Sequence, residues 1–229
     1  LNSLHICAWH EDFLLVAKPA GLDCHQAGES AGLAQRLREQ TGLATLHPVH
    51  RLDAATSGLI LFARHTEAAR ELGEQLAEHR IEKYYLALSP RQPAKKQGWV
   101  RGKMLKGRNG SWRLTRDEGL PAVTQFFSSG LGNGLRAFVL RPLSGRTHQL
   151  RVAMKSLGSP ILGDARYGGA NAERLYLHAW ALRLRWRGEI LHWHLPPDGG
   201  EHFLEPAFAD WLATQPAPWQ LPWPGDHTL

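Results

Sequence analysis

The stretch "HRLDAATSG", His50 to Gly58, sets one carboxylate, Asp53, two residues after a cation, Arg51, and just before a run of small residues. A carboxylate that stays ionised can act as nucleophile, general base or electrostatic stabiliser, and a nearby guanidinium favours the charged form. Turn formation alone accounts for many such stretches, because Asp and Ser bond nearby backbone groups and glycine accepts unusual dihedral angles. In a tight turn the Arg51 side chain need not converge on Asp53. Arg146 and Arg151, in the distant segment "GRTHQLR", are the alternative cations, against the plainer reading of Arg151 as a helix-surface residue.

Other chemistries fit the chain less well. Thirteen histidines raise the question of a metal, and His47/His50 and His192/His194 are closely spaced, but no HExxH or CxxC accompanies them. His192 and His194 alternate with the apolar residues of a strand, so solvent exposure explains them and no metal site is expected. A metal-dependent hydrolase is the rival here, and elemental analysis of the purified protein separates it. There is no GxxxxGK[ST], no GxGxxG after a strand and no GxSxG elbow. Ser57 reads as a turn former.

The elements that must position these residues come from a chain of 229 residues, 43% hydrophobic, with a mean hydropathy of −0.35. That is enough to bury a substantial core as one large domain or two small ones. Two cysteines give no disulfide framework, no apolar run reaches the length of a bilayer span, and the N-terminus lacks a basic leader. Cytoplasm is the expected compartment. The formal charge of +6 favours an anionic partner.

That charge is concentrated. Residues 91–116 hold nine Lys or Arg, no acid, Trp99, Trp112 and four glycines, leaving the rest of the chain net acidic. A solvated hairpin is one reading. The other is an arm facing nucleic acid, with cations for phosphate, indoles for bases and glycines for close approach.

Along the chain, "DFLLVAKPAGL" reads as a strand and turn, and Ser30 to Gln40 as a helix with Ser30 as cap and Gly42 past its end. "GLILFAR" and "IEKYYLALS" are strands, with a helix from Thr66 to about Arg80 between them. "AVTQFF" and "LRAFVLRPL" pair across a glycine-rich turn. "GRTHQLRVAMKSLG" is a helix capped by Thr147 and ended by Gly158. "ALRLRWRGEILHWHLP" alternates strictly and is a hairpin. A last helix covers Glu205–Thr214, and the proline-rich residues 215–229 are an extended tail after a single domain, 1–214. The irregular mixture of strands and helices points to α+β with a mixed or largely antiparallel sheet.

Five segments in order give the chain a resemblance to the RluA-type pseudouridine synthases, running from about Glu11 to Pro196: "EDFLLVAKPAGL", "HRLDAATSGLILFAR", "KYYLAL", "GRTHQLRV" with "LGSPILGDARYG", and "LYLHAWALRL". The resemblance implies a catalytic domain with flanking helices and a central cleft, needing neither cofactor nor metal. The implied reaction isomerises uridine in RNA to pseudouridine. Asp53 would be the essential aspartate, by attack on sugar, attack on base or removal of a sugar proton. Arg151 would pair with it, Tyr85 would pack on the target base, and Arg51 would fill the stack the uridine has left, as base extrusion requires. His50, Lys95, Lys96, Arg101 and Lys103 are the further residues expected to bind RNA. Ala153 stands where the family pattern has His, and the S4-like domain of many relatives is not expected here. A monomer acting on ribosomal RNA, in preference to transfer RNA, is the expectation; a catalytically idle RNA-binding protein on the same scaffold is the alternative.

Overall fold

Apolar runs become strands and four-spaced leucines become helices in the computed structural model, which describes residues 3–24 and 32–225. In chain order the elements are β1 (His5–Trp9), β2 (Phe13–Lys18), α1 (Leu33–Thr41), β3 (His47–Pro48), β4 (Ser57–Ala63), α2 (Thr66–Ala77), β5 (Glu82–Ser89) and β6 (Gln97–Lys106). There follow β7 (Trp112–Thr115), β8 (Leu120–Gly130), β9 (Arg136–Pro142), α3 (Gln149–Ser156), β10 (Leu177–Trp186), β11 (Glu189–His194), α4 (Glu201–Leu204) and α5 (Pro206–Ala213). The fold is α+β, and within each of its two units the strands pair antiparallel except β4 with β10, which pair in parallel. Contacts group the chain into two units, Leu1–Glu82 with His178–Pro196, and Lys83–Leu177 with Pro197–Leu229.

In the first unit β4 is buried along its whole length because it is flanked on both sides. β2 runs antiparallel to it from Phe13 opposite Ala63 to Lys18 opposite Gly58. β10 meets it in parallel at Ser57 and Gly58, and β3 meets it at Phe62 and Ala63. Alternation sends Phe13, Leu15, Leu59, Leu61, Leu182, Leu184 and Trp186 to one face, where Ala68 and Leu72 of α2 complete the core. Each such large side chain removed from water contributes about 1.5–3 kcal/mol. The hairpin β10–β11 follows the alternation read from sequence, with Leu191 and Trp193 packed on the same core and His192 and His194 exposed.

Helix boundaries differ from expectation where a cap was assigned. α1 begins at Leu33 with Gly32 as its N-cap; Ser30 lies outside the described residues. Gly42 does end it, in a left-handed conformation. α3 is preceded not by a capping Thr147 but by His148, itself left-handed at φ 57° with no side-chain cap bond. α2 ends at Ala77, and its N-cap is His65, whose Nδ1 accepts the Ala68 N–H.

The second unit pairs its strands in the order β5-β9-β8-β6-β7. α3 lies against β6–β9. The described part of the proline-rich C-terminal segment, residues 215–225, packs on the second unit rather than extending from it. Pro218–Gln220 form a 3-10 turn, Trp219 and Trp223 pack beside Tyr84 and Trp223 beside Phe127, and Gln125 donates to the Pro224 carbonyl.

Candidate active site

Asp53 sits in a turn tied down on several sides within the first unit. Its carbonyl accepts the Thr56 N–H at 3.0 Å, closing the turn, and its side chain is half-buried. Lys18, fully buried, spends all three ammonium protons on carbonyls: Pro19 at 2.9 Å, Leu22 at 2.7 Å and Ala54 at 2.9 Å. The Gly21 N–H also reaches the Ala54 carbonyl. The Lys-Pro-Ala-Gly turn and the Asp53 turn are thus one bonded assembly.

The "TSG" that follows is fixed by β10. Ser57 Oγ lies 2.8 Å from His178 Nδ1, and His178 Nε2 lies 2.7 Å from the Leu195 carbonyl. Since a carbonyl only accepts, Nε2 carries a proton, and in that tautomer Nδ1 is the acceptor for Ser57. Gly58, at φ +111°, approaches β10 so closely that a Cβ would lie 2.2 Å from the Ala179 oxygen. Small residues here are required by backbone approach as well as by turn chemistry.

Before Asp53, Val49 donates to the Leu61 carbonyl, and the Leu61 N–H is then taken by His50 Nε2 at 3.2 Å. The imidazole replaces a backbone acceptor at the end of the short β3. His50, expected to bind RNA, is buried and braces the strand. Arg51 is exposed. Cys24 Sγ donates to the Leu52 carbonyl, and burial pushes its thiol up from the ordinary value.

A separate cluster, His10, Glu11 and Asp12, brings potential metal-ligating atoms within 4.8 Å of one another. Those atoms are already engaged. His10 Nδ1 accepts the Asp12 N–H, while the Asp12 carboxylate accepts from Trp186 Nε1 at 2.8 Å, His65 Nε2 at 2.9 Å and Arg187 at 3.1 Å. Burial alone would raise the Asp12 pKa, but the Trp186 and His65 bonds and the Arg187 charge outweigh it and hold the carboxyl below its ordinary value.

In the second unit, strand alternation puts Lys83 and Tyr85 on one face of β5 and Tyr84 on the other. Tyr85 is 8% exposed. Burial lowers the Lys83 ammonium to about 8. Arg151, on α3, has a partner that sequence reasoning did not name: Nε donates to Asp164 Oδ2 at 2.8 Å and a terminal nitrogen to Oδ1 at 2.7 Å. This is the two-pronged geometry that guanidinium and carboxylate favour. The Asp164 signal was present in "GDARYG", but its partner lies thirteen residues back on another element. Ala153 is buried beside Met104, Leu114 and Ala122, so that departure from the family pattern falls on packing between α3 and the hairpin.

The basic segment forms the hairpin β6–β7 and the stretch that leads into it; Arg91, Lys95 and Lys96 before β6 and Arg101 on β6 are exposed. Arg101 stacks over Trp99 at 4.2 Å, and Lys103 donates to the Asp117 carbonyl. Trp112, expected to meet bases, is turned inward and packs with Leu114 against Met104, Ala122, Val152 and Tyr167.

A family described as RNA pseudouridylate synthase matches residues 12–156. A protein named as an uncharacterized RNA pseudouridine synthase of Haemophilus influenzae is 42% identical over 199 residues, covering 86% of this chain and 89% of its own. The ribosomal large subunit pseudouridine synthase C of Escherichia coli O157:H7 is 35% identical over 215 residues, covering 85% and 67%. Among solved structures, human RNA pseudouridylate synthase domain containing 1 superposes with a TM-score of 0.72 at 26% identity, covering 85% of this chain and 84% of that one.

Proposed function

This chain belongs to the RluA-type family of RNA pseudouridine synthases, and we propose that it isomerises uridine in large-subunit ribosomal RNA with Asp53 as its catalytic carboxylate. In that reaction the N1–C1′ bond breaks, the base turns, C5 bonds to C1′, the hydrogen on C5 leaves to solvent and N1 takes up a proton. Atoms and charge balance without any redox partner.

The observation that carries the Asp53 assignment is the bracing of its turn. Lys18, Gly58 and the Ser57–His178 pair hold the backbone around one carboxylate, as a reacting group held in fixed geometry requires. Arg151 is assigned as the cation that serves Asp53 in the complex with RNA, Tyr85 as the ring against the target base, and Arg51 as the group that fills the vacated stack. The cations Lys95, Lys96, Arg101 and Lys103 of the basic segment are assigned to RNA phosphates. The protein is read as a cytoplasmic monomer acting without metal.

The preference for ribosomal RNA is supported by the name of the E. coli relative. Mapping pseudouridine in ribosomal and transfer RNA from cells with and without the gene tests it. Loss of a pseudouridine in large-subunit RNA alone is expected; loss confined to transfer RNA would reassign the target.

A further inference from the structure

The 3-10 turn Ala165–Tyr167 and the aspartate before it touch both α3 and the basic hairpin. Asp164 is fully buried at its side chain and Arg151 only 11% exposed, so each neutralises the other where an unpartnered charge would be costly. The Arg151 guanidinium also lies over the Tyr167 ring, 5.0 Å from its centre. The Tyr167 hydroxyl accepts the Trp112 N–H of β7 at 3.0 Å and lies 2.8 Å from His148 Nδ1. The Tyr167 hydroxyl thus joins the β7 backbone to the residue that precedes α3. Arg166 donates to the Asn109 carbonyl in the hairpin's tip.

The turn is a rigid mount. Tyr167 and Gly169 N–H groups both return to the Asp164 carbonyl, and Leu162 N–H bonds the Leu88 carbonyl of β5. A Cβ on Gly163 would lie 1.7 Å from the Arg174 oxygen, and one on Gly169 1.9 Å from the Ile161 oxygen. His148 holds a left-handed conformation that is unfavourable for a residue with a Cβ, and its ring bond to Tyr167 helps to retain it.

We propose that the Asp164–Tyr167 turn links RNA capture to catalysis, with Asp164 positioning Arg151 and Tyr167 fastening the basic hairpin to α3. Both are positioning residues. The inference rests on the reading of Arg151 as a functional cation and of the hairpin as an RNA contact. It states that the arginine's geometry and the hairpin's seat share one support.

The test uses the full chain and whichever unmodified transcript, ribosomal or transfer, loses C5 tritium with the wild type. Affinity across a salt series and single-turnover rate at saturating RNA are measured for each variant, with thermal melting to correct for the folded fraction. Asp164→Asn should lower the rate by at least about tenfold more than it lowers affinity, because it acts on the transition state rather than on binding. Arg151→Lys, which keeps the charge without the fork and leaves no buried carboxylate unpaired, should show the same split and serves if Asp164→Asn folds poorly. Tyr167→Phe keeps the ring and loses the hydroxyl, and should weaken RNA binding about fivefold and reduce its salt slope. If both Asp164→Asn and Arg151→Lys hold the wild-type rate while Arg151→Met loses it, the positioning role is wrong and the reading of Arg151 stands. If Arg151→Met also holds the rate, that reading fails and the inference with it. Unaltered affinity and salt slope in Tyr167→Phe would overturn the hairpin link, and melting losses without either change would make the turn merely structural.

Discussion

Gly58 carries a constraint that few residues in the chain share, since both its dihedral angle and its surroundings exclude a side chain. At φ +111°, with the Ala179 backbone where a Cβ would stand, Gly58→Ala must move β4 away from β10 or strain the turn. The expected loss is about 3 kcal/mol or more, measurable by urea denaturation, and activity should fall with it because Asp53 is five residues upstream. A variant as stable as the wild type would mean that β10 does not approach this position. The sequence showed Asp53, Gly58 and Arg151 as residues of interest through their local motifs. It did not show why they stay in place. Lys18 reaches Ala54 thirty-six residues on, and His178 reaches Ser57 across 121. No local pattern distinguishes a buried lysine that braces carbonyls from a surface one, and the burial of His50 was hidden for the same reason.

At the scale of elements, β2, α2 and β10 are clasped by Asp12. Its carboxylate takes Trp186 from the end of β10 and His65 from the start of α2, and its folded pKa lies below the ordinary 3.8. A depressed acid contributes stability above that ordinary value and loses it as pH falls through the folded one. His65 is shifted the other way, raised from 6.5 chiefly by its bond to Asp12, so its contribution is complete below 6.5 and lost as pH rises through the folded value. Asp12→Asn should therefore cost about 2 kcal/mol, with the melting-temperature gap from wild type widest between the ordinary values of 3.8 and 6.5 and narrowing on either side. A gap that does not change with pH would show that neither group titrates with folding.

The hairpin β6–β7 was legible in sequence as a charged arm, and its strands follow from alternation and glycine placement. Its inward Trp112 was not legible, because an indole among lysines looks alike whether it faces α3 or solvent. Neutralising Lys95, Lys96, Arg101 and Lys103 together should weaken RNA binding and flatten its salt dependence. Each lost phosphate contact should remove about 0.7–0.9 from the log–log slope. An unchanged slope in titrations across a salt series would remove the hairpin from the RNA interface.

For the whole molecule, five motifs spread over most of the chain carry the family, which is why its reaction was legible while its architecture was less so. The division into two units and the docking of the C-terminal aromatics on Tyr84 and Phe127 depend on contacts between residues far apart in sequence. Prolines in residues 215–229 argued against regular structure without revealing that tryptophans between them find a surface. The claim that joins these levels is that one carboxylate, held in a braced turn, isomerises uridine in RNA. It is tested most directly by tritium release from C5-labelled large-subunit ribosomal RNA, comparing wild type with Asp53→Asn at saturating RNA. The substitution removes the charge and keeps the shape, so melting and RNA affinity should stay close to wild type while release falls below detection. Release by a folded, RNA-bound Asp53→Asn protein within about tenfold of wild type, the scale of a minor contributor rather than an essential group, would contradict the account.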